Sequence, residues 1–261
     1  MNLASYPGDS LVMEEFELIG KTAVVTGGGQ GIGEGIAKSL ARAGANVAVA
    51  ARSVDRIERV AGEIVAAGGK AIAVPTDVTD RAALTKLADT AIETFGGLHV
   101  WVNNAGGSPV RSSMRELSDE DWDACVALNL TAVWKASVIA FDRMTDGGSI
   151  IQISSPAGDR AVPGSGHYGA VKAGVNSMTK TLAIEFAPHV TVNGIGPGFI
   201  PTEVMMTALD TNEEALEAMA KKQIPLKRLG KPSDIGSAAV YLASQAGSWV
   251  TGQTFNVAGG T

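Results

Sequence analysis

Short apolar segments alternate with longer helical segments along most of this chain, and that alternation restricts the fold more than any other feature. Seven short runs are rich in β-branched residues; they occupy residues 22–26, 46–51, 71–74, 99–103, 149–154, 190–195 and 253–258. Such runs are typical of strands buried on both faces. Helical patterns fill the intervals, over residues 31–43, 55–67, 80–95, 119–143, 167–187 and 233–244. The alternation predicts an α/β fold with a parallel, doubly wound sheet of about seven strands flanked by helices.

The length and composition suit one domain. A chain of 261 residues, 45% of them hydrophobic, can bury a substantial single core. We expect residues 1–14 to form an N-terminal extension and residues 15–261 to form the domain. Ser118 and Ser233 stand just before helical segments and are the expected N-caps.

One segment, residues 199–231, interrupts the alternation with a long helical insertion, which we interpret as a lid over the substrate. Its apolar residues would suit a hydrophobic ketone or alcohol such as a steroid, a terpenoid or an acyl chain. These residues are Val204, Met205, Met206, Leu209, Leu216 and Met219. The alternative, that they only pack the lid helix against the domain, stays open at this point.

The charge balance points away from polyanionic partners. With 27 acidic and 21 basic residues, the chain has a net charge of -6, the wrong sign for nucleic acid or an anionic membrane. Small-molecule chemistry is therefore expected. The single cysteine, Cys125, allows no internal disulfide, and no segment approaches the roughly 18 to 20 apolar residues of a membrane span. We expect a cytoplasmic protein.

A glycine-rich loop, Thr26–Gly33, follows the first predicted strand and opens a helix. Its sequence TGGGQGIG contains no G-x-G-x-x-G; the spacing is that of Gly27, Gly31 and Gly33. Glycines at such a place let the backbone approach a pyrophosphate, which the amides and dipole of the helix N-terminus then favour. A plain tight turn is the alternative.

The end of the second predicted strand bears on cofactor choice. A site specific for NAD usually carries an acidic residue there, whereas this chain has Ala51, Arg52 and Ser53. Ala51 leaves room for a 2'-phosphate and Arg52 can bind one, so NADP is favoured and NAD stays possible. Gln30 supplies no second cation from the glycine loop, and Arg52 could instead be a solvated loop residue.

Tyr168 and Lys172 stand four residues apart in a predicted helix, which places their side chains on one face. A phenol has a pKa of about 10, and a cation nearby could lower it enough for acid/base work. The alternative is a surface tyrosine packed on a lysine stem.

Several motifs, in this order and spacing, resemble the short-chain dehydrogenase/reductase family in its compact single-domain branch. The resemblance runs from about residue 16 to residue 260. The motifs are TGGGQGIG at 26–33, DVT at 77–79, NNAG at 103–106, LNL around Asn129, ISS at 153–155, YGAVK at 168–172, NGIGPGFIPT at 193–202 and GQTFNVAGG at 252–260. The family implies a Rossmann-type fold and NAD- or NADP-dependent oxidoreduction of alcohols and carbonyls.

The resemblance also implies catalytic roles. Tyr168 would exchange a proton with the substrate oxygen, and Ser155 would hydrogen-bond that oxygen. Lys172 would lower the pKa of Tyr168 and hold the nicotinamide ribose. Asn129 would anchor a water that links Lys172 to solvent. Ser154 is the weaker candidate, since the family's usual distance to the tyrosine favours Ser155.

The cofactor site implied by the family is assembled from several loops. Asp77 and Val78 would bracket the adenine, and the residues from Pro197 to Thr202 would pass the carboxamide. Asn103 is expected to be a structural hydrogen-bonder and His167 to be incidental. The full cofactor set is Gly27, Gly29, Gln30, Gly31, Ile32, Gly33, Ala51, Arg52, Ser53, Asp77, Val78, Asn104, Ala105, Gly106, Tyr168, Lys172, Pro197, Gly198, Ile200 and Thr202. No metal site is expected.

The family leaves the substrate open. The first expectation is a secondary alcohol or ketone on a hydrophobic molecule, of hydroxysteroid or similar type. A reductase of 3-oxoacyl groups on acyl carrier protein is the alternative, although Asp146 and His189 stand where such enzymes usually have basic residues. A catalytically inactive dinucleotide sensor is a remote third. Family relatives are commonly homotetramers or homodimers, so closed symmetry is expected.

Overall fold

The computed structural model describes residues 14–203, 205–206 and 211–261. Seven strands and seven helices account for most of the described chain. In chain order they are β1 Thr22–Thr26, α1 Gly31–Arg42, β2 Asn46–Ala51, α2 Val54–Ala66, β3 Lys70–Pro75, α3 Arg81–Phe95, β4 Val100–Asn103, α4 Asp119–Phe141, β5 Gly148–Ile153, α5 Gly166–Glu185, β6 Val190–Pro197, α6 Glu213–Gln223, α7 Pro232–Ala243 and β7 Thr254–Val257. The predicted strands and their order are confirmed, with shifts at several strand ends.

The strands form one parallel sheet in the order β3-β2-β1-β4-β5-β6-β7. The chain runs outward from β1 to β3 and then returns to β4 beside β1, so the direction of winding reverses between β1 and β4. Ligands of such sheets bind outside the carboxyl ends of the strands at this point. The sheet is of Rossmann type, as the sequence predicted.

The core lies in two layers, one on each face of the sheet. Helices α1, α2 and α7 cover one face through a cluster that includes Ile36, Ile57 and Ile235. Helices α3, α4 and α5 cover the other, with Leu87 and Leu182 among their buried residues. Because both faces are covered, apolar residues occupy both faces of most strands, which explains why the sequence shows short apolar runs instead of strict alternation.

Helix α4 crosses the sheet as a continuous helix with a π-helical turn at Ala127–Thr131. By length and composition it could cross a membrane, which differs from the sequence prediction that no segment approaches that length. Its Ala136, Ile139 and Ala140 are buried against the sheet. Part of the apolar surface of α4 is therefore buried in the core of the domain.

The two predicted N-caps have different outcomes. Ser118 caps α4, and its side chain accepts a hydrogen bond from the Asp121 amide. Ser233 lies inside α7, so that prediction is wrong. Pro232 occupies the first turn and Lys231 is the N-cap, whose N–H donates to the Asp234 carboxylate at 2.9 Å. Proline favours the first helical turn because its fixed φ suits a helix and it has no N–H to satisfy.

The predicted lid contains helix α6, which buries Leu216 and leaves Met219 partly buried. Met205 and Met206 are also partly buried. Val204 and Leu209 lie outside the described residues, as does the predicted N-terminal extension apart from Glu14.

Candidate active site

The glycine loop turns the chain tightly from β1 into α1. Gly27 and Gly31 have φ values of 63° and 55°, in the left-handed region that favours glycine. A Cβ on Gly33 would lie 2.2 Å from the Gly27 carbonyl oxygen, so only glycine lets the helix approach the loop this closely. A Cβ on Gly31 would lie 2.9 Å from the Thr202 methyl group, which brings the loop after β6 against this loop.

Two side chains fasten the glycine loop to the loop after β4. Thr26 Oγ accepts hydrogen bonds from the amides of Asn104 (3.0 Å) and Ala105 (3.1 Å). Asn104 Nδ2 donates to the carbonyls of Thr26 (2.9 Å) and Gly27 (3.1 Å). Thr26 was not singled out from the sequence; its place at the last position of β1 was the available signal.

The loop has the donors that a pyrophosphate requires. Within the described residues, the backbone amides of Gly29 and Gln30 donate to no protein group. These groups stand where α1 begins, so the helix dipole adds to them. The residues therefore fit the diphosphate of a dinucleotide.

We call the space outside the carboxyl ends of the strands the cleft; at its outer edge the ends of β2 and β3 lie side by side. Ala51 is partly buried and Arg52 and Ser53 are exposed. Hydrogen bonds from the Thr79 amide and hydroxyl, at 2.9 and 2.7 Å, lower the pKa of Asp77, and the nearby Arg52 lowers it further. Arg52 makes no side-chain hydrogen bond or ion pair to any part of the chain described. Its guanidinium is therefore available to an anion.

The pair Tyr168 and Lys172 lies near the opposite end of the cleft, on α5. Lys172 is only 4% exposed, and its Nζ donates to the Ile153 carbonyl at 2.8 Å. The same Nζ lies 5.5 Å from the centroid of the Tyr168 ring. The two side chains therefore share one face of the helix, as expected, and Lys172 is buried instead of forming an exposed stem, whereas Tyr168 is partly exposed.

The pKa values of this pair differ from the expectation. Burial raises the pKa of Tyr168 to about 12, and a hydrogen bond with Ser155 offsets only part of that rise. Burial lowers the pKa of Lys172 to about 8. The family implied that Lys172 lowers the pKa of Tyr168, but in this structure the cost of burying a phenolate prevails. Near neutral pH, Tyr168 is a neutral phenol that carries a proton.

Of the two serines after β5, Ser155 is the one that meets Tyr168. Ser155 Oγ accepts from the Ala157 amide at 3.1 Å, which leaves its own proton available for donation. Ser154 is buried and its hydroxyl donates to Asn176 Oδ1 at 2.5 Å. Ser154 is therefore engaged with α5, whereas Ser155 remains partly exposed.

Asn129 lies in the π-helical turn of α4 and is fully buried. Its Nδ2 donates to the carbonyls of Cys125 and Gly107, both at 3.0 Å, and its Oδ1 accepts from the Gly107 amide at 2.8 Å. A Cβ on Gly106 would lie 2.7 Å from Asn129 Oδ1 and 3.6 Å from Lys172 Nζ. Asn129 therefore fastens the loop after β4 beside Lys172.

Other cofactor candidates lie at or just after the carboxyl ends of β3 and β6. Val78 and Ile200 are buried, and the Gly198 amide donates to the Val257 carbonyl at 3.1 Å. A Cβ on Gly198 would lie 2.6 Å from the Ala258 Cα, so this turn packs tightly on the end of β7. Pro197, at the end of β6, is partly buried.

The structure also bears on the sequence predictions for Asn103 and His167. Asn103 is a structural hydrogen-bonder as expected, accepting from Trp101 Nε1 at 2.8 Å and donating to Gln152 Oε1 at 2.9 Å. His167 is fully buried, and its Nε2 lies 2.7 Å from Ser108 Oγ; that it has no part in the chemistry stays a prediction. The contact with Ser108 places the His167 ring against the loop after β4. In the described ranges, no group of three His, Cys, Asp or Glu side chains could hold a metal.

Known proteins resemble the chain over nearly its whole length. The family model described as enoyl-(acyl carrier protein) reductase matches residues 27–261. A 3-oxoacyl-[acyl-carrier-protein] reductase of Synechocystis is 40% identical over 248 residues, 93% of this chain and 97% of that protein. Glucose 1-dehydrogenase 2 of Bacillus subtilis is 37% identical over 249 residues, 94% of this chain and 95% of that protein.

A solved structure adds a cofactor to the comparison. A 7α-hydroxysteroid dehydrogenase complexed with NADH and 7-oxo glycochenodeoxycholic acid is 34% identical and superimposes with a TM-score of 0.88, covering 95% of this chain and 96% of that one. Identity at this level over both entire folds, together with a glycine loop that fits a diphosphate, decides the relationship. The chain belongs to the short-chain dehydrogenase/reductase family and is an oxidoreductase that uses a nicotinamide dinucleotide.

Proposed function

We propose that this enzyme interconverts a secondary alcohol and a ketone on a hydrophobic small molecule, with Tyr168 as the proton donor and acceptor. One observation carries the proposal: the Tyr168 ring lies 5.5 Å from the buried Lys172 Nζ, with Ser155 close enough to lower the pKa of the phenol. This is the arrangement that general acid/base catalysis at a carbonyl requires.

Each residue of this centre has a distinct task. In the reductive direction, Tyr168 transfers its phenolic proton to the substrate oxygen, and the Ser155 hydroxyl donates a hydrogen bond to that oxygen. The Lys172 ammonium stabilises the phenolate that remains. Asn129 holds the Gly106–Gly107 backbone against this centre. The nicotinamide dinucleotide, when bound, supplies or accepts the hydride.

The remaining loops of the cleft would hold the cofactor. The glycine loop would bind its diphosphate, Asp77 and Val78 would flank its adenine, and the loops after β4 and β6 would line its nicotinamide end. Arg52 would bind a 2'-phosphate, and Ala51 would leave space for it, so we propose NADP as the preferred cofactor. The guanidinium of Arg52, which is exposed and has no partner among the described residues, supports that preference.

The hydrophobic substrate is supported by the apolar side chains of the lid. Met205, Met206 and Met219 are only partly buried, so they retain surface for a ligand. The related 7α-hydroxysteroid dehydrogenase is complexed with 7-oxo glycochenodeoxycholic acid, a ligand of this hydrophobic class for that protein.

A second candidate is reduction of a 3-oxoacyl group on acyl carrier protein. The 3-oxoacyl-[acyl-carrier-protein] reductase relative supports it, as do the exposed Lys221, Lys222 and Lys227 near the end of α6. Arg228 contributes less to such a basic surface, because it pairs with Asp234 at 2.7 Å. An inactive dinucleotide sensor would bind cofactor and turn over no substrate.

One experiment separates these candidates. Steroid ketones, 3-oxoacyl thioesters and small ketones, together with the matching alcohols and glucose, are assayed with NADPH, NADH, NADP and NAD. We expect the highest kcat/KM with a hydrophobic ketone and NADPH. Activity confined to acyl thioesters would favour the carrier-protein reductase, and cofactor binding without turnover of any compound would favour the sensor.

We also propose that the enzyme is a cytoplasmic homotetramer or homodimer. Large apolar side chains are exposed on α4 and α5, where Trp134 is 47% and Ile184 is 80% exposed, and burial in a symmetric interface would remove them from water. Sedimentation velocity at micromolar concentration is the test, and a monomer there would contradict the proposal.

A further inference from the structure

Arg59 reaches the glycine loop from outside the cleft, and we propose that it is a positioning residue for cofactor binding. From helix α2 it holds the Gly29–Gln30 peptide in the orientation that presents the Gln30 amide to the diphosphate. This inference rests on the proposed role of the glycine loop as the diphosphate site.

The contacts of Arg59 combine a backbone hydrogen bond with ion pairs. One guanidinium nitrogen donates to the Gly29 carbonyl at 3.1 Å and to the Glu34 carboxylate at 2.6 Å. The other donates to Glu34 at 3.2 Å and to Glu63 at 2.8 Å. The guanidinium is planar and its donors are fixed relative to one another, so two carboxylates that hold it also fix the donor aimed at Gly29.

The orientation of one peptide links this contact to the cofactor. A trans peptide is planar, and its carbonyl and N–H point in opposite directions. Since the Gly29 carbonyl points to Arg59, the Gln30 N–H points away from α2. That N–H has no partner in the described part of the chain, whereas the Gln30 carbonyl already accepts the first hydrogen bond of α1, from the Glu34 amide at 3.2 Å.

The loop cannot hold this orientation by its own preferences. Three consecutive glycines, Gly27 to Gly29, allow many backbone conformations. A Cβ on Gly29 would lie 3.0 Å from the Arg56 Cβ, so α2 is packed directly against the loop there. Arg59 provides the polar contact at this junction.

Glu34 offers a second explanation that has to be separated from the first. Its carboxylate lies in the first turn of α1, and hydrogen bonding to Arg59 is the main cause that lowers its pKa. Without Arg59, this charge would stand less compensated near the bound diphosphate. Removing Arg59 would therefore change both the orientation of the Gly29–Gln30 peptide and the electrostatic potential at the diphosphate. The Glu34→Gln substitution separates the two effects because it removes the Glu34 charge.

The test measures cofactor affinity without any substrate. NADPH and NADH are titrated into the purified protein and its Arg59→Met variant, and the Kd is obtained from nucleotide fluorescence. We expect about tenfold weaker binding of both nucleotides, which corresponds to about 1.4 kcal/mol. Lys38→Met is the matched control, because Lys38 pairs with the same Glu34 and Glu63 but makes no hydrogen bond to the glycine loop. Its Kd values should change little.

The double variant Glu34→Gln/Arg59→Met should bind as weakly as Arg59→Met alone; recovery of the original Kd would overturn the proposal, because it would assign the effect to charge. The Arg59→Lys variant keeps the positive charge but loses the planar guanidinium and its paired donors, and it should also bind both nucleotides more weakly. It replaces Arg59→Met in the test if that variant fails to fold. An unchanged Kd in either Arg59 variant would overturn the proposal.

The ratio of the two Kd values separates this inference from the proposed NADP preference. Because both nucleotides share the diphosphate, Arg59→Met should leave the ratio as it is, whereas Arg52→Ala should change it. A ratio altered by Arg59→Met would overturn the positioning role and place Arg59 at the 2'-phosphate. Absence of binding by the unmodified protein would instead contradict the proposed function.

Discussion

The two ends of the cleft hold cations of opposite character. At the ends of β2 and β3, Arg52 is exposed and has no protein partner in the described structure. Near the end of β5, Lys172 is 4% exposed, donates to Ile153 and has a pKa lowered to about 8. Water screens an exposed charge, so replacing the residue that carries it changes the stability of the fold little. A buried charge is stabilised by the groups around it, and removing it leaves those groups without their partner.

This difference predicts a gradient of mutational effects along one cofactor. Substitutions at the buried end should abolish chemistry or alter the stability of the fold. Substitutions at the exposed end should change which nucleotide is preferred and leave the fold alone. The four predictions below run from the buried end to the exposed end.

The largest effect is expected for Tyr168→Phe, which keeps the ring and removes the phenolic proton. We expect kcat to fall by about 1,000-fold, within the range of about 10²- to 10⁴-fold that a positioned acid/base contributes. Steady-state kinetics with the best compound of the substrate panel measures kcat, and titration with NADPH should show little change in Kd.

Tyr241→Phe is the control for the loss of a phenol elsewhere. Tyr241 lies on α7, where its ring centroid is 6.4 Å from that of Phe16, and this variant should keep its kcat. If Tyr168→Phe retained more than about a tenth of kcat, Tyr168 would not be the proton donor.

The next effect is expected for Lys172→Ala. We expect kcat to fall by about 100-fold, because the phenolate of Tyr168 loses its neighbouring cation, and NADPH binding to weaken as well. The variant also leaves the Ile153 carbonyl without its donor at 2.8 Å. Kinetics and nucleotide titration measure the two effects separately.

Lys180→Ala is the matched control, because Lys180 is exposed on the same helix. It should change neither quantity. A Lys172→Ala protein with normal NADPH affinity would show that Lys172 serves the proton transfer only, and normal kcat would remove it from the centre.

The buried cation should also make stability depend on pH. Because the pKa of Lys172 is lowered from 10.5 to about 8 in the folded protein, the unfolded chain binds more protons between those values. Stability from this group therefore rises with pH over that window. From pH 7.5 to pH 10, the unmodified protein should gain about 2 kcal/mol of unfolding free energy relative to Lys172→Met.

Urea unfolding of both proteins at pH 7.5, 9 and 10 measures this difference. The series ends at pH 10 because the raised pKa of Tyr168 acts in the opposite direction, with stability falling as the pH rises from about 10 to about 12. Parallel curves for the two proteins would mean that Lys172 keeps its ordinary pKa in the folded state.

The same contrast explains what could be predicted from the sequence. The seven strand segments, the place of the glycine loop and the shared face of Tyr168 and Lys172 follow from local patterns, which the chain displays directly. The direction of the Tyr168 pKa does not, since it depends on burial by distant segments.

Contacts between residues that are far apart in the chain could not be predicted from the sequence either. Arg59 and Gly29 are 30 residues apart, and His167 and Ser108 are 59 apart. Nothing in the local spacing of either pair indicates the contact. The misassigned cap at Ser233 has a local cause, because Pro232 begins the helix one residue earlier.

The smallest effect is expected at Arg52. The unmodified protein should prefer NADPH over NADH by about tenfold in kcat/KM, since one exposed cation can add a charged hydrogen bond to the 2'-phosphate but remains screened. Arg52→Ala should bring the ratio close to one.

Ala51→Asp should reverse the preference, because a carboxylate there would repel the 2'-phosphate and accept hydrogen bonds from the ribose hydroxyls of NADH. The ratio of kcat/KM values for the two nucleotides, measured at low and high salt, tests both variants; the preference for NADPH should shrink as salt rises. Arg56→Ala is the control, since Arg56 already pairs with Glu203 at 3.0 Å and should leave the ratio unchanged. A higher kcat/KM with NADH in the unmodified protein would show that Arg52 is only a solvated residue, and the contrast between the two ends of the cleft would then concern burial alone and not cofactor choice.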